Sequence, residues 1–572
     1  MVMTERAAPY QDVTMPDTTG SPLPRRIADA YVDAVTELDP ITATYLGVRT
    51  GQDRLPDFSP AGLEAQAELA RRTLAGIDAA EVPDDDERRC ARLLRERLTA
   101  ELAVHEAGEG LRAVSNLHSP VHSVRGVFML MPTGTDEDWA AVAARLRAVP
   151  QALAGYRASL EEGVARKLPA GPRQVATVVE QLGEWLGEDA GASWFAQFVK
   201  EGPKALRSEL DGAAAEATAA VAGLRDWLRD TYAPAVEGTS DAVGRERYAR
   251  WARYWTGSDL DLDEAYAWGW EEFRRIEAEM RVEAEKVLPG ATPMEALAHL
   301  DEAGEAIEGV DAVREWLQGV MDEAMAALDG THFDLAEPVK RVESRIAPAG
   351  SAAAPYYTSP SLDFSRPGRT WLPTLGRERF PVWDLVSTWY HEGVPGHHLQ
   401  LAQWAYVADR LSRYQATLGQ VSANAEGWAL YAERLMDELG FLTDAGRRLG
   451  YLNAQMLRAT RVILDIGMHL ELEIPQDSPY RPGETWTPEL GREFFGRFNG
   501  LSDAMLDSEI IRYLGMPGQA IGYKLGERAW LAGREAARKA HGDSFDPKAW
   551  HMAALSQGSL GLDDLVDELS KL

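Results

Sequence analysis

Cysteine is all but absent: Cys90 is the single thiol in 572 residues. One cysteine forbids an intrachain disulfide and any cysteine-based zinc cluster. Basic residues are also scarce, 59 Lys and Arg against 90 Asp and Glu, which leaves a formal net charge of −31. So acidic a surface argues against nucleic acid and anionic membranes, both of which are recognised through Lys/Arg patches. No run of about 18 apolar residues occurs, so no membrane-spanning helix is expected. Met1–Arg6 lacks the apolar core of a secretory leader. On those two absences the expectation is a cytoplasmic protein. Histidine is rare as well, 11 in all, so a place where histidines gather carries weight.

The remaining composition is that of an ordinary globular chain, 45% hydrophobic and 26% charged, long enough to bury a large core. Residues 1–22, rich in Pro, Thr, Asp and Gly without periodicity, read as a mobile tail. From Pro24 apolar residues recur at three- and four-residue intervals, over Arg25–Leu38, Leu63–Leu74 and Arg88–Val104. The same texture continues through 136–165, 171–186, 193–231, 242–255, 261–287, 293–303 and 309–328. Between Phe333 and Pro381 the pattern changes, with prolines at 348, 355, 360, 367 and 373. Short strands are expected there, over Val339–Ile346, Ala354–Thr358 and Thr370–Thr374. Helices resume at about Val382. The expected architecture is mostly α. A single large body over 23–572 is divided into a helical half at about 23–330, a β patch at 333–381 and a second helical half at 382–572.

Three of the histidines fall within eight positions, in Tyr390-His-Glu-Gly-Val-Pro-Gly-His-His-Leu-Gln400. Imidazoles beside a carboxylate, Glu392, point to a transition-metal site with its own base. The spacing differs from H-E-x-x-H, whose two histidines at i and i+4 share a helix face. On an undistorted helix His397 is turned about 240° from His391, and His398 lies roughly 10 Å further along the axis. Metal–nitrogen bonds of about 2.0–2.1 Å allow neither. Pro395-Gly396 removes the conflict, because proline breaks the amide ladder and glycine accepts unusual dihedrals. With those two residues looped out, the rest reads His391-Glu392-Gly393-Val394-His397. His397 is then the second ligand, with His398 as the alternative.

A hydrolytic zinc site needs a third protein ligand and an open position for water. The next helical segment with suitable acids is 422–433, where Glu426 is the candidate ligand and Gly427 would allow close helix packing. Glu433 lies on the same face two turns on, as a supporting or alternative acid. Further along, Arg458, Arg461, Asp465 and His469 recur at helical spacing. That ladder is either an internal ion-pair network or a device in which Asp465 orients His469 to donate to a reacting oxyanion.

Taken together, these motifs resemble the bacterial family catalogued as domain of unknown function 885. The matching elements are residues 390–400, Glu426–Ala429, the Pro-Ser-Leu-Asp…Ser-Arg-Pro-Gly segment at 360–368, and Arg512-Tyr513…Pro517-Gly518-Gln519-Ala520…Tyr523-Lys524. More distantly, the chain is similar to helical zinc peptidases of the gluzincin type, such as angiotensin-converting enzyme, thimet oligopeptidase and the thermostable carboxypeptidases. In those, Gly-His follows His-Glu closely, which favours His397 over His398. The resemblance implies a deep cleft between long helices, and an edge strand beside the metal helix able to pair with an extended peptide. It also implies Tyr523 or Tyr513 at the oxyanion and Arg512 or Lys524 on a substrate carboxylate.

The function expected from all this is a zinc-dependent hydrolase of a peptide or peptide-like amide bond. One Zn²⁺, with Mn²⁺ or Co²⁺ as alternatives, is held by His391, His397 and Glu426. Glu392 is the general base, and Tyr523 and His469 assist. Two other readings stay open: a metal-dependent amide or C–N hydrolase acting on a small metabolite, and a non-catalytic binding protein on the same scaffold. The sequence does not give an oligomeric state.

Overall fold

Prolines open the helices Pro24–Leu38, Pro60–Asp78, Pro172–Leu186, Pro293–Ala303, Pro488–Phe498 and Pro547–Leu555. In the first turn the missing amide leaves no bond unmade. Reciprocal capping starts one more, Thr135 with Asp138 ahead of Asp136–Ala165, and adds to the proline at Pro293–Ala303 through Thr292 with Glu295. These elements belong to a computed structural model that describes residues 22–188, 191–348 and 354–572. The expected mobile tail, apart from residue 22, lies outside the described residues. The chain is mostly α, as its periodicity predicts.

Two large apolar cores organise the helices. One is built only from residues 114–236, with Trp139, Tyr156 and Leu160 from the long helix Asp136–Ala165 at its centre. The other gathers the N-terminal helices and nearly everything from Tyr248 onward. Its axis is the helix Ala445–Leu470, which lies along Leu262–Val287 and also touches Leu385–Glu392. The helix Ser422–Glu438 packs along Gly522–His541. There the close approach expected at Gly427 is present: a Cβ on it would stand 2.4 Å from the backbone of Gly526.

Among the described residues the β content is five short strands: β1 (Ala306–Glu308), β2 (Val342–Ile346), β3 (Tyr356–Thr358), β4 (Gly368–Leu372) and β5 (Arg379–Pro381). β2, β4 and β3 form one sheet in that order, β2 parallel and β3 antiparallel to β4. β1 pairs antiparallel with β5. The three-stranded patch matches the expected region, although 339–341 precede the strand, with 339–340 in a turn. β1 lies between two helices and is too short to show a period. The outer edge of β2 is covered by Gln318, which donates to Val342 O and accepts from Ser344 N. β3, at the other edge, carries Tyr357, whose hydroxyl meets His398.

Candidate metal centre

The helix carrying His391 runs Leu385–Glu392 and stops, and a second runs His397–Tyr406. The expectation of two looped-out residues is therefore corrected to a four-residue break at 393–396. Its Val394–Pro395 peptide is cis. Gly393 leaves helical dihedrals (φ −101°, ψ −113°) while its N–H still donates to Trp389 O. Gly396 donates to Tyr390 O at 2.9 Å, and His398 N donates to Gly393 O at 3.1 Å. The chain folds back on itself so tightly that a Cβ on Gly396 would lie 1.9 Å from His391 O. Pro395 has no amide to offer the ladder, and only glycine fits the next position. Trp428 holds the break from outside, its Nε1 donating to Pro395 O and Gly396 O, both at 3.0 Å.

That fold-back turns the two imidazoles toward each other, with ring centroids 4.8 Å apart and planes at 84°. His391 Nε2 lies 3.4 Å and His397 Nε2 3.7 Å from Glu426 Oε2. All three side chains are buried, and Glu426 Oε2 makes no hydrogen bond. Atoms bound to one ion at about 2.0–2.2 Å in tetrahedral array stand roughly 3.3–3.5 Å apart, so this donor set fits a zinc-like ion. Glu392 reaches the same place: a carboxylate oxygen of Glu392 and one ring nitrogen each of His391 and His397 all lie within 4.8 Å of one another. The second nitrogen of His391, Nδ1, is bonded to Glu433 Oε1 at 2.7 Å, and Glu433 Oε2 accepts from Ser387 Oγ at 2.7 Å. That leaves Nε2 as the free, inward-facing atom of His391. Nδ1 of His397 finds no partner.

The charges follow from burial and neighbours. Burial opposes a charge on His391, but the Glu426 and Glu433 carboxylates outweigh it and raise its pKa to about 9. Burial, with little relief, lowers His397 to about 3. Burial would raise Glu426, yet the two histidines hold it well below the usual carboxylate range. Glu392 is pushed up to about 7 by burial, with His391 and Arg458 opposing and Glu426 reinforcing. A carboxyl near 7 is suited to taking and returning a proton at neutral pH.

The other expected residues divide. His398 faces away from the facing pair: Tyr357 OH meets its Nδ1 at 2.8 Å and Val339 O meets its Nε2 at 2.7 Å. With both nitrogens engaged it ties the second helix to β3 and cannot replace His397. Tyr523 stands near Glu426, whose charge helps burial raise the phenol pKa, and the Arg461 guanidinium lies 4.8 Å over its ring. Asp465 does not orient His469. Its Oδ2 accepts from Tyr248 OH and Gly518 N, and His469 Nε2 is 3.8 Å from Oδ1 and bonded instead to Tyr513 O. These contacts fill a sealed apolar layer, and none is with His391, His397 or Glu426. Lys524 is likewise corrected: fully buried, its Nζ is bound by Gln455, Glu527 and Glu272. Arg512 is held by Glu509 and Gln519, and Tyr513 donates to Glu509. A buried charge needs a partner, and here the protein supplies it, leaving no fork for a substrate.

Arg458 is a cation whose charge reaches Glu392 and His397. Among the described residues it has no carboxylate partner, only Ala454 O at 3.0 Å. Its place in the Arg458/Arg461/Asp465 ladder is visible in sequence, but which rung's charge reaches the site is not. Trp428 and Ser387 were also missed. Trp428 lies inside the Glu-Gly-Trp-Ala element, and its link to the 393–396 break gives a reason for the two motifs to occur together.

The model of the bacterial protein family of unknown function DUF885 matches residues 40–569, and the chain belongs to that family. No curated protein matches it. Among solved structures it is similar to a protein from Colwellia psychrerythraea described as a "putative lipoprotein", with a TM-score of 0.78 and 21% identity over 96% of this chain and 98% of that one. It is also similar to a protein so described, of unknown function, from Shewanella oneidensis, with a TM-score of 0.74 and 18% identity over 96% and 99%. These likenesses establish a shared fold. They also overturn the cytoplasmic expectation: lipoproteins are exported or membrane-anchored, and an unremarkable first few residues do not fix a compartment. No helix of the described residues is long and apolar enough to cross a membrane.

Proposed function

We propose that this member of the family is a zinc-dependent hydrolase of a peptide or peptide-like amide bond, gluzincin-like in the arrangement of its site. The observation that carries the reading is the meeting of His391 Nε2 and His397 Nε2 on an unbonded Glu426 Oε2 at 3.4 and 3.7 Å, with Glu392 beside them. His391, His397 and Glu426 would hold the ion, and Glu433 fixes the orientation of His391. When bound, zinc supplies Lewis acidity, lowering the pKa of a water and polarising a carbonyl. A site with three protein ligands, rather than four, suits catalysis over a purely structural role.

The protein's own groups do the rest. Glu392 accepts the proton of the attacking water and delivers it to the departing amine. Tyr523 offers its hydroxyl to the developing oxyanion, and Arg461 over its ring keeps the phenol in position. Arg458, rather than Arg512 or Lys524, is the cation free to meet an anionic group of the substrate. The small sheet, joined to the second histidine helix through Tyr357–His398, is where an extended peptide would align in a cleft between the helices.

Metal analysis of the purified protein beside His391→Ala and His397→Ala tests this. One zinc per chain is expected in the wild type, and none in either variant. Stoichiometric zinc surviving both substitutions sinks the assignment. A peptide library run beside small N-acyl compounds then separates peptide from metabolite substrates: cleavage of the N-acyl compounds alone would refute the peptide reading.

A further inference from the structure

Away from the histidines, the helices Pro24–Leu38, Pro60–Asp78 and Asp85–Glu106 enclose a cavity of about 460 Å³ that reaches Tyr254 and Tyr414. Its walls are chiefly apolar, with Leu38, Leu63, Leu102 and Leu418 among them. Two acidic residues, Asp39 and Glu101, line it together with the rings of Tyr31, Tyr254 and Tyr414. Tyr31 and Tyr414 meet edge to face, centroids 5.6 Å apart.

Glu101 is poorly matched by what surrounds it. Its one hydrogen bond is a long one from Tyr31 OH, 3.4 Å. Arg97, one turn earlier on the same helix, is committed elsewhere, to Glu96 at 2.7 Å and to Tyr254 O at 2.5 Å. His105, one turn later, is bonded to Glu64, and Asp39 caps its own helix through Ile41 N. Among the described residues Glu101 has no ion-pair partner, and the hydroxyls of Tyr254 and Tyr414 have no hydrogen-bond partner. Burial, only partly offset by Arg97, lifts the Glu101 carboxyl to about 7. A half-buried carboxylate without an ion-pair partner, ringed by aromatic faces in a chain of net charge −31, is chemistry that lacks a cation.

We infer that this cavity binds an alkylammonium group, its cationic head between Glu101 and the rings of Tyr31, Tyr254 and Tyr414 and its apolar stem along Leu63 and Leu102. Aromatic faces attract ammonium ions through the ring quadrupole, and the carboxylate adds the charge pair. The leucine walls select an amine carried on carbon over a bare inorganic cation. Free amines and peptide amino termini share this chemistry. The site stands independently of the hydrolase reading.

Ligand-observed NMR titration of the full chain, stripped of metal so that no amine coordinates at the histidines, provides the test. n-Butylammonium is expected to bind, and neutral n-pentanol to bind at least about tenfold more weakly. Glu101→Gln, nearly isosteric, should lose about tenfold in affinity for butylammonium, and Tyr254→Leu several-fold, with circular dichroism unchanged. A dipeptide amide that binds with a free amino terminus but not when acetylated identifies peptides as the source; butylammonium binding alone identifies free amines. Equal binding of pentanol and butylammonium, or a folded Glu101→Gln that binds butylammonium as tightly as the wild type, overturns the proposal.

Discussion

Two glutamates beside the same histidine illustrate how position divides roles. Glu433 touches only the outward nitrogen of His391 and the hydroxyl of Ser387. Glu392 faces the space between the imidazoles. Orienting carboxylates contribute to metal affinity, whereas a general base contributes to rate. Glu433→Gln is therefore expected to weaken zinc binding by about 10–100-fold, measured by competition with a chelator. Glu392→Gln should retain the ion and lose about 10²–10⁴-fold in hydrolysis. A Glu433→Gln protein that binds zinc as tightly as the wild type would show that Glu433 serves packing alone. The same logic explains Lys524, Arg512 and Asp465. Sequence displays these groups, but each is already engaged: Lys524 by Glu527 and Arg512 by Glu509, three residues away on the same helix, and Asp465 by Tyr248, 217 residues away.

At the scale of elements, the helix spans and the β patch were readable because their signals are local: apolar period, proline at the first turn, proline density across 348–373. The identity of His391, Glu392, His397 and Glu426 was readable for a similar reason, since each sits in a short dense motif. The geometry of the break was not. Its form depends on Trp428 donating across from another helix and on Gly396 lying against the carbonyl of His391. Nor could sequence distinguish His398 from His397 on spacing alone; Tyr357 and Val339, both in or beside the β patch, decide it. Gly396→Ala should accordingly cost roughly 3 kcal/mol or more, because backbone on both sides must shift, and should lower zinc content together with melting temperature. Gly212→Ala is the comparison: exposed in the helix Arg207–Trp227 with nothing within 4 Å, it should be neutral or stabilising by about 0.5–1 kcal/mol. A Gly396→Ala protein with full zinc and an unchanged melting curve would mean the break can open without loss of the site.

Across the whole molecule, buried titrating groups pull stability in opposite directions as pH changes. Burial holds His469 near 4 and His551 near 3. An imidazole with a lowered folded pKa stabilises the fold fully above its unfolded value of about 6.5 and loses that contribution as pH falls toward the folded one. Burial raises Asp465 to about 7 and Asp384 to about 6. Those carboxyls stabilise fully below their unfolded value of about 3.9 and lose the contribution as pH rises through 6 to 7. Between pH 5 and 7 the two sets offset each other, so single substitutions expose what the wild-type curve conceals. His551→Phe should gain roughly 2 kcal/mol relative to wild type on going from pH 7 to pH 5, and Asp465→Asn a similar amount on going from pH 5 to pH 7. In a chain this large each kcal/mol moves the melting temperature by only about 1 °C, because the unfolding entropy scales with length. Calorimetric scans of metal-free protein at fixed rate and salt, at both pH values, resolve that difference. Shifts of the same sign for the two variants would contradict the assignment of neutral buried imidazoles and protonated buried carboxyls.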